Sequence, residues 1–183
     1  MAKKVLLVGS FALLFSACTP NSQSVEAQRA RVADGARVEL RDANKKTVGT
    51  LTVSVQSGGG VRFNGRLSDL PPGVHGVHIH ENGKCDPPDF KTAGAHLNLS
   101  GKQHGEHNPQ GQHEGDIGNI RIDANGNAEV SLLAGKVSLE PGADNSLLKS
   151  GGTSLVIHAD PDDLKTDPSG NSGARIACGV ITR

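Results

Sequence analysis

Aromatic residues are nearly absent from this sequence, which has no tryptophan, no tyrosine and four phenylalanines among 183 residues. A hydrophobic core must therefore be built from valine, leucine, isoleucine and alanine. Neither sign of charge is in excess, because 19 basic residues balance 19 acidic ones. The basic, aromatic-bearing surface that is typical of nucleic-acid-binding proteins is missing, and we expect no nucleic-acid partner.

A long hydrophobic run is also missing. The apolar stretch at residues 5–15 is shorter than the roughly 20 residues of a membrane-spanning helix. It follows two lysines and precedes small residues, a pattern typical of a secretory signal peptide. Ser16-Ala17-Cys18 resembles the cleavage box of bacterial lipoproteins, in which the new N-terminal cysteine receives lipid. A plain cleaved signal with an incidental cysteine is the alternative.

Cysteine is scarce, with single residues at positions 18, 85 and 178. An odd number in an exported chain requires a separate fate for one of them. If Cys18 carries lipid, Cys85 and Cys178 can form one disulfide in an oxidising compartment; the alternative is a pair of buried free thiols. We therefore predict a signal peptide at residues 1–18 and a protein exported to the periplasm or cell envelope. Its only contact with the membrane would be a lipid anchor on Cys18.

No segment of ten residues has a convincing helical pattern. After the predicted signal peptide, the sequence divides into two parts. Residues 19–34 are polar, as is typical of a flexible tether. In residues 35–183, apolar and polar residues alternate in short segments separated by glycine-rich turns, which predicts an antiparallel sandwich or barrel. We predict about eight strands, near residues 36–40, 48–55, 61–67, 77–80, 119–122, 128–133, 154–158 and 175–182.

Histidines are concentrated in and beside the first of two long loops, residues 81–116 and 159–174. Loops longer than about 12–15 residues in a compact domain are usually functional or disordered. His78 and His80 alternate with apolar residues, so both face the same side of a strand, and His158 ends a second strand. Strand histidines would form a rigid half of a metal site, over which loop histidines would fold. The eight histidines lie at 75, 78, 80, 96, 104, 107, 113 and 158.

Several segments resemble the copper/zinc superoxide dismutases. They are GVHGVHIHE (73–81), AGAHLN (93–98), HEGDIGN (113–119), LVIH (155–158) and GARIACGV (173–180). The spacing from His96 to His104 and on to His113 also matches the zinc ligands of that family. The resemblance covers residues 36–182. It implies an all-β fold, a flattened eight-stranded antiparallel Greek-key barrel of the Ig-like sandwich class, with two long functional loops.

Carried over residue by residue, the resemblance implies one copper ion and one zinc ion per subunit. Four imidazoles suit Cu(II), and three imidazoles with one carboxylate suit zinc. His96 would bind both ions after losing both of its ring N–H protons. Copper would lie on His78, His80, His96 and His158, and zinc on His96, His104, His113 and Asp116.

The implied reaction is the dismutation of superoxide, a small-molecule substrate, to dioxygen and hydrogen peroxide. In the family's scheme, His96 would leave the reduced copper, take up a proton and return it to the nascent peroxide. Arg175 would dock the anion with a permanent positive charge, and Asp162 would orient ligands of both metals. A bridge between Cys85 and Cys178 would tether the arginine strand to the metal loop. The resemblance also allows a homodimer.

Other interpretations apply to parts of the pattern. A non-catalytic copper/zinc buffer or chaperone outside the cytoplasm would need the same ligands but no docking arginine, disulfide or bridging residue. Arg175, the cysteine pair and Asp162 therefore favour the enzyme. His75 adjoins a glycine turn and is predicted to be structural, and His107 is predicted to be a loop histidine outside the metal sites.

Overall fold

The computed structural model describes residues 35–183, so the predicted signal peptide, Cys18 and the tether at residues 19–34 lie outside the described residues. Within residues 35–183 the chain forms eight strands and one 3-10 turn. The strands are β1 (Ala36–Asp42), β2 (Thr47–Val55), β3 (Val61–Leu67), β4 (Gly73–His80), β5 (Asp116–Ile122), β6 (Ala128–Ala134), β7 (Ser154–His158) and β8 (Arg175–Thr182), and the turn is Lys91–Ala93. None of the helical structure in this part is long and apolar enough to cross a membrane.

The strands form one antiparallel sheet in the order β5-β4-β7-β8-β1-β2-β3-β6. Neighbours such as β4 and β7, or β8 and β1, are far apart in the sequence, as Greek-key connections require. The two outermost strands, β5 and β6, lie against each other, so the sheet curls into a nearly closed barrel. The predicted all-β, eight-stranded antiparallel Greek-key barrel is confirmed.

Alternation along the strands builds the core. In β1, Ala36, Val38 and Leu40 are buried, whereas the residues between them are exposed. The inward faces of β2, β3 and β6 add branched aliphatic side chains and one aromatic ring, Phe63. The core is therefore aliphatic, as the scarcity of aromatic residues predicts, and its burial from water stabilises the fold.

β4 and β7 position the functional site, because both faces of these strands are covered. Every residue of β7 is buried, and so are the last six residues of β4. The apolar residues of β4 point into the core, so His78 and His80 point to the opposite face, beneath the two long loops. β5 begins at Asp116, earlier than the predicted start at residue 119, because Asp116 pairs with His78 across the two strands.

Candidate metal centre

Three histidines on neighbouring strands converge on one point. His78 and His80 on β4 and His158 at the end of β7 are at most 3% exposed. His80 Nε2 and His158 Nε2 lie 3.4 Å apart, and the ring centroids of His78 and His158 are 4.8 Å apart. The Gly94 carbonyl accepts a hydrogen bond from His80 Nδ1 at 3.0 Å, and the Gly173 carbonyl accepts one from His158 Nδ1 at 3.3 Å. The remaining nitrogens of these two rings therefore face each other.

His96 brings the first long loop over these rings. Its backbone forms an isolated bridge with His80, and the next N–H, of Leu97, donates to the Ile79 carbonyl at 2.8 Å. The His96 ring stacks on His78 with the centroids 3.9 Å apart. A common centre, with ligand atoms all within 4.8 Å of one another, is shared by His78, His80, His96 and His158. The structure therefore brings together the four residues that the resemblance assigns to copper.

Asp116, at the start of β5, gathers histidines on the other side of His96. Its Oδ1 lies 3.0 Å from His96 Nδ1, 3.0 Å from His104 Nδ1 and 3.2 Å from His113 Nδ1. A second group of ligand atoms, again within 4.8 Å of one another, comprises His78, His96, His104 and Asp116. His113 contacts Asp116 but lies outside this tighter group, in which His78 is the fourth member.

Asp162, in the second long loop, connects the two groups. Its side chain is fully buried; Oδ2 accepts a hydrogen bond from His78 Nε2 at 2.8 Å, and Oδ1 accepts one from His104 Nε2 at 2.9 Å. The Leu164 N–H also donates to Oδ1 at 2.7 Å. One carboxylate therefore fixes the ring orientation of a histidine in each group, as outer carboxylates do around metal sites.

Within residues 35–183, three buried ring nitrogens have no hydrogen-bond partner: Nδ1 of His78, Nε2 of His96 and Nδ1 of His104. Asp162 binds the opposite nitrogen of His78 and of His104, so the unpaired Nδ1 atoms face inward. His104 Nδ1 lies 3.0 Å from Asp116 Oδ1 but does not form a hydrogen bond with it. Buried polar atoms are rarely left unpaired, and metal ions at the two centres would pair all three. Imidazole nitrogens with one carboxylate are a donor set that copper and zinc accept.

In the group of four imidazoles, burial favours the uncharged form of the histidine rings. Burial lowers the pKa of His80 to about 2, that of His158 to about 3 and that of His96 to about 4. The rings are therefore uncharged at neutral pH, the state in which histidine binds metal. Burial alone would raise the pKa of Asp116, but the hydrogen bonds that it accepts from the surrounding histidines hold it well below its usual value.

His104 lies between two carboxylates and titrates differently. Burial lowers the pKa of His104, but Asp116 and Asp162 beside it raise that pKa to about 9. Burial likewise works against ionisation of Asp162, whose hydrogen bonds with His104 and His78 nevertheless keep its pKa low. In the metal-free chain both ring nitrogens of His104 are therefore protonated at neutral pH, and a zinc ion would have to displace one of these protons.

Arg175, at the start of β8, places a guanidinium beside the group of four imidazoles. Nη1 donates to the Phe90 carbonyl and Nη2 to the Gly94 carbonyl, both at 2.7 Å. Gly94 also accepts the hydrogen bond from His80. Within residues 35–183 Arg175 forms no ion pair with a carboxylate. Burial lowers its pKa and Asp89 raises it, and a guanidinium stays protonated at working pH. The site therefore offers a positive charge that no ion pair neutralises.

The other residues singled out in the sequence also have clear positions. Cys85 and Cys178 form a disulfide with their Cα atoms 5.6 Å apart, which joins the first long loop to β8. His75 is buried, and its ring nitrogens lie 2.8 and 2.9 Å from two backbone carbonyl oxygens. The side chain of His107 is 63% exposed and belongs to neither ligand group.

Backbone groups and one glycine were missed by the sequence reasoning. The carbonyls of Phe90, Gly94 and Gly173 orient the arginine and two histidine rings. Gly170 has φ +63°, and a Cβ there would overlap the side chains of Asp162 and His104. The sequence carries no signal for these backbone contacts, because every residue has a carbonyl group.

Comparison with known proteins finds the same pattern elsewhere. Residues 47–181 match the family model described as "Copper/zinc superoxide dismutase (SODC)". The chain is 53% identical over 128 residues to "Superoxide dismutase (Cu-Zn) 1" of Aquifex aeolicus (strain VF5), which covers 69% of this chain and 76% of that relative. It is 42% identical over 144 residues to "Superoxide dismutase (Cu-Zn)" of Caulobacter vibrioides, which covers 78% of this chain and 82% of that one.

A solved structure shares the fold. The crystal structure of a SOD-like protein from Bacillus subtilis aligns with a TM-score of 0.76 and 39% sequence identity. The alignment covers 79% of this chain and 96% of that chain. The likeness therefore extends over most of this chain and nearly all of that chain.

Proposed function

The chain belongs to the copper/zinc superoxide dismutase family, and on that premise we propose how its residues perform the reaction. The protein is a superoxide dismutase, which converts two superoxide anions and two protons into dioxygen and hydrogen peroxide. The observation that carries this function is the position of His96. Its ring belongs to the group of four imidazoles and also contacts Asp116 through Nδ1. A metal buffer or chaperone needs no shared ligand, so this geometry favours the enzyme.

Copper and zinc are the cofactors. When bound, the ions supply a one-electron couple at copper and a redox-silent cation at zinc. The unpaired nitrogens of His78, His96 and His104 support an assignment of both ions to this centre. The proposed copper ligands are His78, His80, His96 and His158, and the proposed zinc ligands are His96, His104, His113 and Asp116.

His96 is proposed to move a proton as well as to hold both ions. Its Nδ1 faces Asp116 at 3.0 Å, so the unpaired Nε2 faces the copper side. Nε2 would hold a proton in one half of the cycle and deliver it to the reduced substrate in the other.

Arg175 is proposed to bind and orient the anion. Its guanidinium is held by two carbonyl oxygens and is not neutralised by an ion pair, so its charge is available to superoxide. Because Gly94 bonds both Arg175 and His80, the docking position is fixed relative to the copper side. Asp162 contributes by orienting His78 and His104, without contacting the substrate.

Superoxide consumption by the purified chain loaded with both metals tests this function. We expect rapid dismutation by the wild type and a loss of about 10²-fold or more in kcat/KM for His158→Ala, because a copper ligand is removed. His107→Ala, which changes an exposed histidine outside both groups, is the matched control and should keep full activity. A metal-loaded wild type that does not consume superoxide would contradict the proposed enzymatic function and support the alternative of a non-catalytic metal buffer.

The location of the protein forms a second part of the proposal. The apolar run at residues 5–15 and the box that ends at Cys18 support export and a lipid anchor in the cell envelope. A Cys18→Ser variant is expected to leave the membrane fraction and to stay active; unchanged membrane retention would contradict the anchor. A homodimer stays a prediction from the resemblance.

A further inference from the structure

Phe90 differs from its neighbours in the first long loop because its side chain is buried. It is 1% exposed, whereas Asp89 and Lys91 on either side are exposed. Its backbone has φ 53° and ψ 24°, a left-handed conformation that is unusual for a bulky residue. Such a conformation persists only where the surrounding structure enforces it. The buried ring and the backbone hydrogen bonds of Phe90 with Asp86 and Ala93 together hold it in this position.

The ring belongs to a small cluster that is separate from the main core. β7 and β8 each supply one member of the cluster, and the disulfide runs beside the ring. The ring therefore packs the 3-10 turn that follows it against the strand that begins with Arg175. The members are Phe90, Ala93, Val156 and Cys178, with Cys85 packed against them.

The backbone of this turn holds the docking arginine at two points. The Phe90 carbonyl accepts from Arg175 Nη1 and the Gly94 carbonyl from Nη2, both at 2.7 Å. Phe90 precedes the turn and Gly94 follows it, and the Ala93 N–H also donates to the Phe90 carbonyl at 3.1 Å. Since Gly94 also bonds His80, a shift of the turn would move the guanidinium relative to the copper side.

We propose that Phe90 is a positioning residue for Arg175: its buried ring fixes the turn whose two carbonyls orient the guanidinium toward the copper-side histidines. This inference rests on the proposed function, in which Arg175 docks superoxide. Without the aromatic ring, the turn loses its packing against β7 and β8. The guanidinium then keeps its charge but no longer has a fixed position, so the affinity for small anions falls while both metals stay bound.

The same substitution at two buried phenylalanines tests the proposal in the chain loaded with copper and zinc. Phe90→Leu alters the cluster beside the turn, and Phe63→Leu makes the same change on β3 in the main core, where Phe63 is 0% exposed. Azide serves as the small anion and is titrated against the visible absorption of the bound copper. The kcat/KM for superoxide and the bound metal content are measured on the same samples.

We expect azide affinity and kcat/KM to fall about tenfold in Phe90→Leu and to change less than about twofold in Phe63→Leu, since misplacement by about 1 Å can cost 10²-fold. Phe90→Ala, which removes more of the packing, should lose more than Phe90→Leu at equal metal content. Wild-type azide affinity in Phe90→Leu would overturn the proposal, and so would equal losses in the two leucine variants. A wild type that binds azide but does not consume superoxide would refute the proposed function, whereas the azide comparison would still decide the role of Phe90.

Discussion

Asp162 forms hydrogen bonds with histidines of both ligand groups without belonging to either group. Its two oxygens bond one histidine from each group, His78 and His104. The next residue, Asp163, is also a carboxylate, but it is exposed and bonds Thr166 and other groups of its own loop. Two adjacent aspartates therefore have different roles because only one of them is buried against the histidines.

Asp162→Asn should weaken metal binding without removing any ligand. The amide keeps one acceptor oxygen, so either His78 or His104 loses its orienting bond. We expect zinc affinity, measured by chelator competition, to fall about 10–100-fold. Asp163→Asn is the matched control and should bind zinc as the wild type does. An unchanged affinity in Asp162→Asn, or an equal loss in both variants, would contradict the role of Asp162.

Side chains of the site could be predicted from the sequence, but the backbone contacts could not. The segments that contain these histidines and Asp116 resemble a known family, and that resemblance named the proposed ligands, whose side chains the structure brings close together. A carbonyl oxygen is present in every residue, and its direction depends on the dihedral angles of the loop. The contacts of Phe90 and Gly94 with Arg175 therefore had no sequence signal. His113, named as a zinc ligand, contacts Asp116 but lies outside the tighter group of ligand atoms.

At the scale of elements, the strands were the most predictable part. Period-two alternation located β1, β2, β3 and β6, each with one face in the core and one exposed. β7 has no such alternation, because the loops bury its outer face, and only its short apolar run marked it as a strand. The two long loops complete the site that the strands begin, and their shape depends on positions such as Gly170, where φ is +63°.

Gly170→Ala should disturb the second long loop where it meets the zinc side. A Cβ at this position would overlap Asp162 and His104, and alanine also disfavours the left-handed backbone by about 1 kcal/mol. Gly151→Ala separates the two effects, since Gly151 has φ +81° and no heavy atom near a Cβ. We expect Gly151→Ala to lose about 1 kcal/mol in urea unfolding. Gly170→Ala should lose more than Gly151→Ala, and only Gly170→Ala should lose zinc affinity. Equal zinc affinity in the two variants would contradict the steric role of the loop.

At the scale of the whole molecule, the barrel buries a group of ionisable side chains that metals would neutralise. Neutral imidazoles and ionised carboxylates are packed beneath the two loops. Ligands that bind only the folded state stabilise it, by about 4 kcal/mol when the free ligand exceeds its dissociation constant 1,000-fold. The metal-free chain should therefore be less stable than the loaded one, and its stability should depend on pH.

Acid should destabilise the metal-free chain. The pKa values of His80, His96 and His158 are lowered to between about 2 and 4 in the fold, whereas unfolding returns them to about 6.5. The unfolded chain therefore binds more protons below about pH 6.5, and each histidine costs about 1.4 kcal/mol per pH unit from there down to its folded pKa. His104, with a pKa raised to about 9, acts oppositely, and its contribution is lost as the pH rises from about 6.5 through 9.

Urea unfolding of the metal-stripped chain over a pH series measures this dependence. We expect the free energy of unfolding to be highest at about pH 6.5 and to fall steeply toward pH 5. His107→Ala should follow the same curve, because this exposed histidine belongs to neither group. A free energy of unfolding that stays constant between pH 7 and 5 would contradict the burial of neutral histidines.

Anomalous diffraction at the copper and zinc absorption edges, on crystals of the loaded chain, shows whether one imidazole, His96, joins a copper ion to a zinc ion. We expect two peaks on opposite sides of the His96 ring, with copper beside Nε2 and zinc beside Nδ1 and Asp116. A single peak, or two peaks that the His96 ring does not separate, would contradict this role of His96.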